Sequence, residues 1–230
     1  MDIHSDDNPN AVAVIGMSGR FPGAKNLEQY WGNLQAGVES ISFFSEDELL
    51  ASGIPQEQID DPHYARAASL LDDIDLFDAR FFNFTPREAE LTDPQHRLFL
   101  ECAWEAMESA GYCGDRYEGA VGVFAGAGPT HCNYLASDTH LNPKLFGHTG
   151  SREHIGNDKD YLATRVSYKL NLRGPSLTVQ TACSTSLVAV HLACQSLILG
   201  ESDLALAGGV TVRVPGKKGY LSKDNAICSP

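Results

Sequence analysis

Short apolar runs that close on glycine or other small residues recur along the chain and alternate with segments of helical periodicity. The runs are Ala11-Val12-Ala13-Val14-Ile15-Gly16, Ala120-Val121-Gly122-Val123-Phe124-Ala125-Gly126, Leu177-Thr178-Val179-Gln180-Thr181-Ala182 and Leu204-Ala205-Leu206-Ala207-Gly208-Gly209. A strand with one wet face alternates apolar and polar residues, whereas a continuous apolar run suits a strand covered on both faces, as in a parallel sheet. Between the runs, Thr85-Pro86-Arg87-Glu88 reads as a capping box with proline in the first turn. Asp93-Pro94 opens a second helix, with Leu98, Cys102, Ala106 and Ala110 recurring on one face before Gly111 ends it. Asn157 is placed to cap a third helix that presents Leu162, Val166 and Leu170, ahead of the breaker Gly174-Pro175. This alternation predicts an α/β layered fold.

The charge balance excludes several functions. The 230 residues carry 30 Asp+Glu against 17 Lys+Arg, a formal net charge of -13, which argues against a nucleic-acid binder. With 43% hydrophobic residues the chain can offset its ordering entropy and fold around a sizeable core. The first residues, Met1-Asp2-Ile3-His4-Ser5-Asp6-Asp7, are acidic where an export signal needs a basic start and an apolar run. The most apolar stretch, 187–199, is broken by His191, Gln195 and Ser196 and falls short of the roughly 20 residues that span a bilayer, so it is expected to be a core helix. The six cysteines, at 102, 113, 132, 183, 194 and 228, lack the close spacing of a zinc knuckle and are expected to be reduced thiols in the cytoplasm.

Residues 38–90 differ in character, holding 13 acidic and 3 basic side chains, and are expected to form an acidic surface insertion packed by Phe43, Phe44, Phe77, Phe81 and Phe82. An acidic docking face is the other reading. Gly126-Ala127-Gly128 lacks the third glycine and acidic partner of a dinucleotide loop, and Gly216-Lys217-Lys218 lacks the pattern of a phosphate loop. The sequon Asn83-Phe84-Thr85 goes unused in a cytoplasmic protein.

The segment richest in chemistry is Thr181-Ala182-Cys183-Ser184-Thr185-Ser186, which follows a predicted strand and precedes the apolar run from Leu187. Strand, sharp turn and helix would hold the Cys183 sulfur at a helix N-terminus, where unpaired N–H groups and the dipole favour negative charge. A free thiol titrates near 8.5, and such positions lower it to roughly 3.5 to 7.5. The small neighbours would admit an extended acyl substrate and bring backbone N–H groups to a developing oxyanion. The local pattern alone leaves a structural cysteine in a packed strand–helix joint equally open. Cys194 reads as core, and His191, eight residues beyond Cys183, reads as a core or partly buried histidine that cannot reach back to it.

The string Val179-Gln180-Thr181-Ala182-Cys183-Ser184-Thr185-Ser186-Leu187-Val188-Ala189 resembles the nucleophile segment of the β-ketoacyl synthase (ketosynthase) domains of modular type I polyketide synthases. Three further stretches agree in the family's order: Val14-Ile15-Gly16-Met17-Ser18-Gly19-Arg20-Phe21-Pro22-Gly23 with the domain's opening, Asp93-Pro94-Gln95-His96-Arg97-Leu98 with Glu101 with its central helix, and Asn157-Asp158-Lys159-Asp160-Tyr161 through Leu172-Arg173-Gly174-Pro175-Ser176 with the approach to the cysteine. The resemblance implies a thiolase-like fold of α-β-α-β-α layers, with residues 1–10 an N-terminal extension and 11–230 mainly the N-terminal half of the ketosynthase domain. It implies a homodimer, an acyltransferase of the 3-oxoacyl-[acyl-carrier-protein] synthase type, and Cys183 as acyl acceptor, in a chain whose thiols already point to the cytoplasm. It also implies an acyl carrier protein as partner, which brings phosphopantetheine with its acyl and malonyl-type thioesters, and neighbouring polyketide synthase domains. No cofactor bound directly, no metal, no nucleic acid and no membrane are expected.

The chain departs from the family in one respect. Two histidines in the second half of such domains stabilise the charge that decarboxylation develops, yet none of His4, His63, His96, His131, His140, His148, His154 or His191 lies in a His-Gly-Thr-Gly-Thr or Asn-Ile-Gly-His context. The final Ala226-Ile227-Cys228-Ser229-Pro230 reads as the middle of a ketosynthase stretch, so these residues alone are not expected to condense substrates. Carrier proteins are typically acidic, as is this chain, so docking would need a local basic patch. The candidates are Arg213 with Lys217, Lys218 and Lys223, and Arg165 with Lys169 and Arg173; each is expected first to be a solvated surface, with docking the other reading. A non-condensing, ketosynthase-shaped partner acting in dimer formation or chain-length control is the rival reading of the whole, and such proteins usually lack the cysteine.

Overall fold

The computed structural model describes residues 10–112, 117–128, 155–214 and 216–222. In chain order the elements are α1 (Leu27–Ala36), β1 (Ser42–Phe43), α2 (Glu46–Ala51), α3 (Gln56–Ile59), β2 (Tyr64–Ala65), β3 (Ala67–Ala68), α4 (Pro86–Leu91), α5 (Pro94–Ser109) and β4 (Val121–Ala127). A 3-10 turn (Lys159–Tyr161) leads into α6 (Leu162–Lys169), then β5 (Ser176–Thr178), a second 3-10 turn (Ala182–Ser184), α7 (Thr185–Ile198), β6 (Leu204–Val210) and β7 (Tyr220–Leu221). The chain divides into two compact units, one of Met1–Ser18 with Phe77–Thr211 and one of Gly19–Leu76 with Val212–Pro230. Among the described residues no helix is long and apolar enough to cross a membrane.

The larger unit is built on a parallel sheet in the order β5-β4-β6. All seven residues of β4 are buried, as its unbroken apolar run predicts. Its side chains divide between two helical layers. Val123, Ala125 and Ala127 join Leu100, Ala103 and Met107 of α5 and Leu162, Val166 and Leu170 of the α6 region in one core, while Phe124 packs with Val179 and with Ala189 and Ala193 of α7 in the other. Burying a Phe such as Phe124 contributes about 1.5–3 kcal/mol relative to leaving it wet.

Helix starts follow local chemistry. The Thr85 hydroxyl accepts the Glu88 N–H at 3.2 Å, but the reciprocal half of the predicted box is not among the bonds at this cap, and the Glu88 carboxylate instead lies 3.9 Å from both Arg165 and Lys169. The Asp93 carboxylate accepts the Gln95 N–H at 2.7 Å to start α5, and the inward face of that helix is centred on Leu100, Ala103 and Met107. Of the four residues predicted to share the face, Leu98 is buried and Cys102, Ala106 and Ala110 are half-buried. Gly111 takes the left-handed conformation (φ 79°) that ends the helix. Asp158, not Asn157, caps the turn before α6, accepting the Asp160 N–H at 3.0 Å; Asn157 donates to the Leu91 carbonyl at 2.7 Å.

Two further expectations are corrected. Residues 11–16 form no strand, and Val14, Ile15 and Met17 are exposed. The segment lies along α5 instead: Ser18 Oγ donates to Glu105 Oε2 at 2.5 Å, and a Cβ on Gly16 would fall onto the Ala106 carbonyl and within 2.9 Å of Ala110 Cβ. Helix α7 is not buried all round, because only the small residues Ala189, Ala193 and Ser196 are buried, while Leu187 is 74% exposed and Val190 47%. Small residues at i, i+4 and i+7 let the helix settle closely on strands whose own glycines, such as Gly209, keep the surface low.

The smaller unit pairs β1 with β3 and β2 with β7, both antiparallel, around Phe44, Leu49, Ile54, Ile59 and Tyr64. Ser45 and Glu48 form a complete capping box on α2. The acidic stretch 38–90 is shared between the units, its residues up to Leu76 in the smaller and those from Phe77 in the larger. Phe44 and Phe82 are buried, whereas Phe43 and Phe81 are exposed.

Candidate functional site

Strand β5 is short, yet its ladder continues one residue further, the Val179 N–H donating to the Ala125 carbonyl at 2.8 Å. The chain then turns sharply through Ala182–Ser184 and enters α7 at Thr185. Cys183 sits in this turn with its thiol exposed. Ala182, just before it, adopts φ 53°, a left-handed conformation that costs a non-glycine residue about 1–2 kcal/mol. Hydroxyl groups hold the turn. Thr185 Oγ1 accepts the Thr181 N–H at 3.0 Å and donates to the Ala182 carbonyl at 2.8 Å. Ser184 Oγ donates to the Thr181 carbonyl at 2.8 Å, so it faces backwards and makes no side-chain cap on the helix it precedes. The first turn of α7 thus presents its dipole's positive end beside Cys183 without a side-chain cap.

The turn rests on β4. A Cβ on Gly126 would collide with the Thr185 methyl and with the Val179 carbonyl, so the bare backbone there is what lets the cysteine turn seat. In the sequence this glycine reads as the close of an apolar run and as a nucleotide-loop candidate, and the feature that gives it away, contact with a turn far along the chain, is not local. His191 is exposed on α7, against the expectation of a buried or partly buried group, and about 12 Å of helix rise separates it from Cys183. Cys194 is half-buried.

Of the remaining histidines, His63 is exposed and His96 is buried, while His4, His131, His140, His148 and His154 lie outside the described residues. His96 is the one whose surroundings are unusual. Its Nδ1 accepts the Arg165 Nε–H at 3.2 Å, and burial, assisted by the Arg165 charge, pushes its pKa down to about 3. It is therefore neutral, with its proton on Nε2. Among the described residues no group of three or more His, Cys, Asp or Glu side chains converges on a metal position.

The candidate docking patches look different in three dimensions. Arg165 and Lys169 are largely buried, share Glu88, and stand over the Phe84 ring at 5.7 and 3.8 Å. Arg165 also donates to the Ile155 carbonyl at 2.8 Å and Lys169 to the Asn83 carbonyl at 3.0 Å; burial depresses both pKa values. These two cations are structural, leaving Arg173 exposed. In the smaller unit Lys217 pairs with Glu48 at 2.9 Å and Arg213 and Lys218 are exposed; Lys223 lies outside the described residues.

The family profile described as "Beta-ketoacyl synthase, N-terminal domain" matches residues 9–229. The chain belongs to this family. It is similar, at 49% identity over 227 residues, to a phenolphthiocerol/phthiocerol polyketide synthase polypeptide of Mycobacterium tuberculosis, covering 96% of this chain and 15% of that protein. It is 45% identical over 216 residues to the pikromycin polyketide synthase component PikAII of Streptomyces venezuelae, covering 90% of this chain and 6% of that one. Among solved structures, ketosynthase twelve of the bacillaene polyketide synthase of Bacillus amyloliquefaciens superposes with a TM-score of 0.84 at 37% identity, covering 96% of this chain and 38% of that chain. The chain thus spans only a fraction of the length of these ketosynthase relatives, and its fold is of the expected α/β, thiolase-like class.

Proposed function

We propose that this chain carries the acyl-accepting cysteine of a β-ketoacyl synthase of polyketide biosynthesis, a 3-oxoacyl-[acyl-carrier-protein] synthase type of acyltransferase. The observation that carries the reading is the exposed Cys183 thiol, poised on a strained turn at the N-terminus of α7, in a chain that belongs to the family. The Cys183 thiolate attacks the carbonyl carbon of an acyl thioester on a carrier protein's phosphopantetheine arm; the tetrahedral adduct collapses, the arm's thiolate leaves and takes up the proton that Cys183 gave up. A malonyl-type thioester then loses carbon dioxide, its enolate carbon attacks the acyl-Cys183 carbonyl, and the cysteine leaves as thiolate while a β-ketoacyl thioester forms. Phosphopantetheine arrives with the carrier protein and is not a resident cofactor.

The partners proposed are an acyl carrier protein, neighbouring polyketide synthase domains and a second copy of the chain. Among the described residues β5 lies at an edge of the β5-β4-β6 sheet with Leu177 48% exposed, which supports pairing of two copies. The presence and exposure of Cys183 weigh against the non-condensing alternative. The test is intact-protein mass spectrometry of the full natural polypeptide incubated with an acyl-carrier-protein thioester. The expected result is one acyl adduct on Cys183 that is absent from Cys183→Ala; an unchanged adduct in that variant, or none in the wild type, refutes the reading.

A further inference from the structure

Resting on the assignment of Cys183 as acyl acceptor, we propose that Thr185 is the positioning residue for that cysteine, with its hydroxyl acting as a brace across the turn. Four observations converge on it. Ala182 is held at φ 53°, where an alanine does not stay unless its surroundings impose it. The Thr185 hydroxyl is the group that spans this residue, taking the Thr181 N–H on one side at 3.0 Å and giving its proton to the Ala182 carbonyl on the other at 2.8 Å. Ser184 does not replace it, since among the described residues its hydroxyl bonds to Thr181, at the carbonyl (2.8 Å) and at Oγ1 (3.1 Å), on one side of the strained residue. The Thr185 methyl in turn lies where a side chain on Gly126 would begin, so the space left on β4 admits the rotamer that the two hydroxyl bonds select.

The brace fixes two directions at once. Threonine is stiff at χ1, and the seated methyl only adds to a direction that the two hydroxyl bonds already set. With Ala182 locked, the Cys183 backbone and the first N–H groups of α7 keep a constant relation, which is what an incoming thioester carbonyl requires if its carbon is to meet the sulfur while its oxygen meets a donor. Acyl transfer forms a carbon–sulfur bond to Cys183 and breaks the one to the donor thiol, which departs with the proton. Thr185 takes part in neither bond.

Three variants of the full natural polypeptide test this: Thr185→Val, which keeps the branched shape without the hydroxyl, Thr185→Ser, which keeps the hydroxyl without the methyl, and Ser184→Ala. Two rates are measured for each, Cys183 acylation by an acyl-pantetheine thioester and Cys183 alkylation by iodoacetamide. Thr185→Val is expected to slow acylation at least tenfold while alkylation stays within threefold, because a small alkylating agent needs only a reachable sulfur and no aligned carbonyl. Thr185→Ser and Ser184→Ala should acylate within threefold of wild type. Acylation of Thr185→Val at the wild-type rate overturns the proposal, as does an equal loss in both rates, which would mark a general collapse of the turn. If the valine variant fails to fold, Thr185→Ser decides: near-normal acylation supports the hydroxyl brace, and a tenfold loss assigns the effect to the methyl and refutes it. A wild type that is alkylated but never acylated at Cys183 removes the acyl-acceptor reading itself, whereas normal acylation of wild type and valine variant alike removes only the brace.

Discussion

Lowering the pH from 7.5 to 5 should cost this fold about 2 kcal/mol through a single side chain, His96. The imidazole is 1% exposed, and its pKa is pushed down to about 3 from an ordinary 6.5, by burial first and the Arg165 charge second, against an upward pull from Asp158. The unfolded chain therefore takes up a proton that the folded chain refuses at every pH between those values. The sign follows: His96 contributes stability that is complete above about pH 6.5 and is lost progressively as the pH falls towards 3. Each unit in that window costs about 1.4 kcal/mol, and pH 5 lies about 1.5 units into it. Geometry gives the same sign, since protonated Nδ1 would turn from acceptor to donor against the Arg165 Nε–H 3.2 Å away. The assay is urea unfolding at pH 7.5 and 5.0 for wild type and His96→Asn, whose amide oxygen stands at the Nδ1 position, can still accept from Arg165 and does not titrate. Carboxylates such as Asp93, which burial shifts upwards, act alike in both proteins and cancel. The wild type should lose about 2 kcal/mol more than the variant over this interval. Equal losses would refute the reasoning, as would an imidazole NMR titration placing the His96 midpoint near 6.5.

Brief treatment with iodoacetamide should modify Cys183 well before Cys102 or Cys194, since the first thiol is exposed and the other two are half-buried; peptide mapping that finds the three labelled at equal rates contradicts this. Ala193→Leu forces a larger side chain between α7 and Phe124 and should destabilise by about 1–3 kcal/mol in urea unfolding, with a midpoint unchanged from wild type as the adverse result. Lys169→Ala removes the bond to the Asn83 carbonyl and the packing on Phe84, and should cost about 1–3 kcal/mol by the same assay, whereas an effect within about 0.5 kcal/mol would show the side chain to be an ordinary surface lysine.

The sheet was legible where pattern and partner coincide. The run at 120–126 becomes β4 because a strand lies on each side of it and a helical layer on each face. The equally apolar run at 11–16 reads the same, yet its backbone meets no strand among the described residues, and the pattern reports a wish for burial without naming a ladder partner. Helix α7 shows the opposite confusion: its apolar residues run all round, and which of them go inside depends on how closely the strands beneath allow a helix to approach. The strand–turn–helix around Cys183 was readable from small residues between two apolar runs. The left-handed Ala182 was not, because alanine carries no sign of that conformation, and neither was the burial of His96, Arg165 and Lys169, which depends on groups brought together from distant parts of the chain.

The bare position at Gly126 bears on attempts to move this chemistry elsewhere. A peptide cassette running from Val179 to Leu187, copied into a foreign scaffold, would bring the sulfur but not the floor it stands on. Engineers would need to transplant strand and cassette as one piece, or first carve a matching notch in the host.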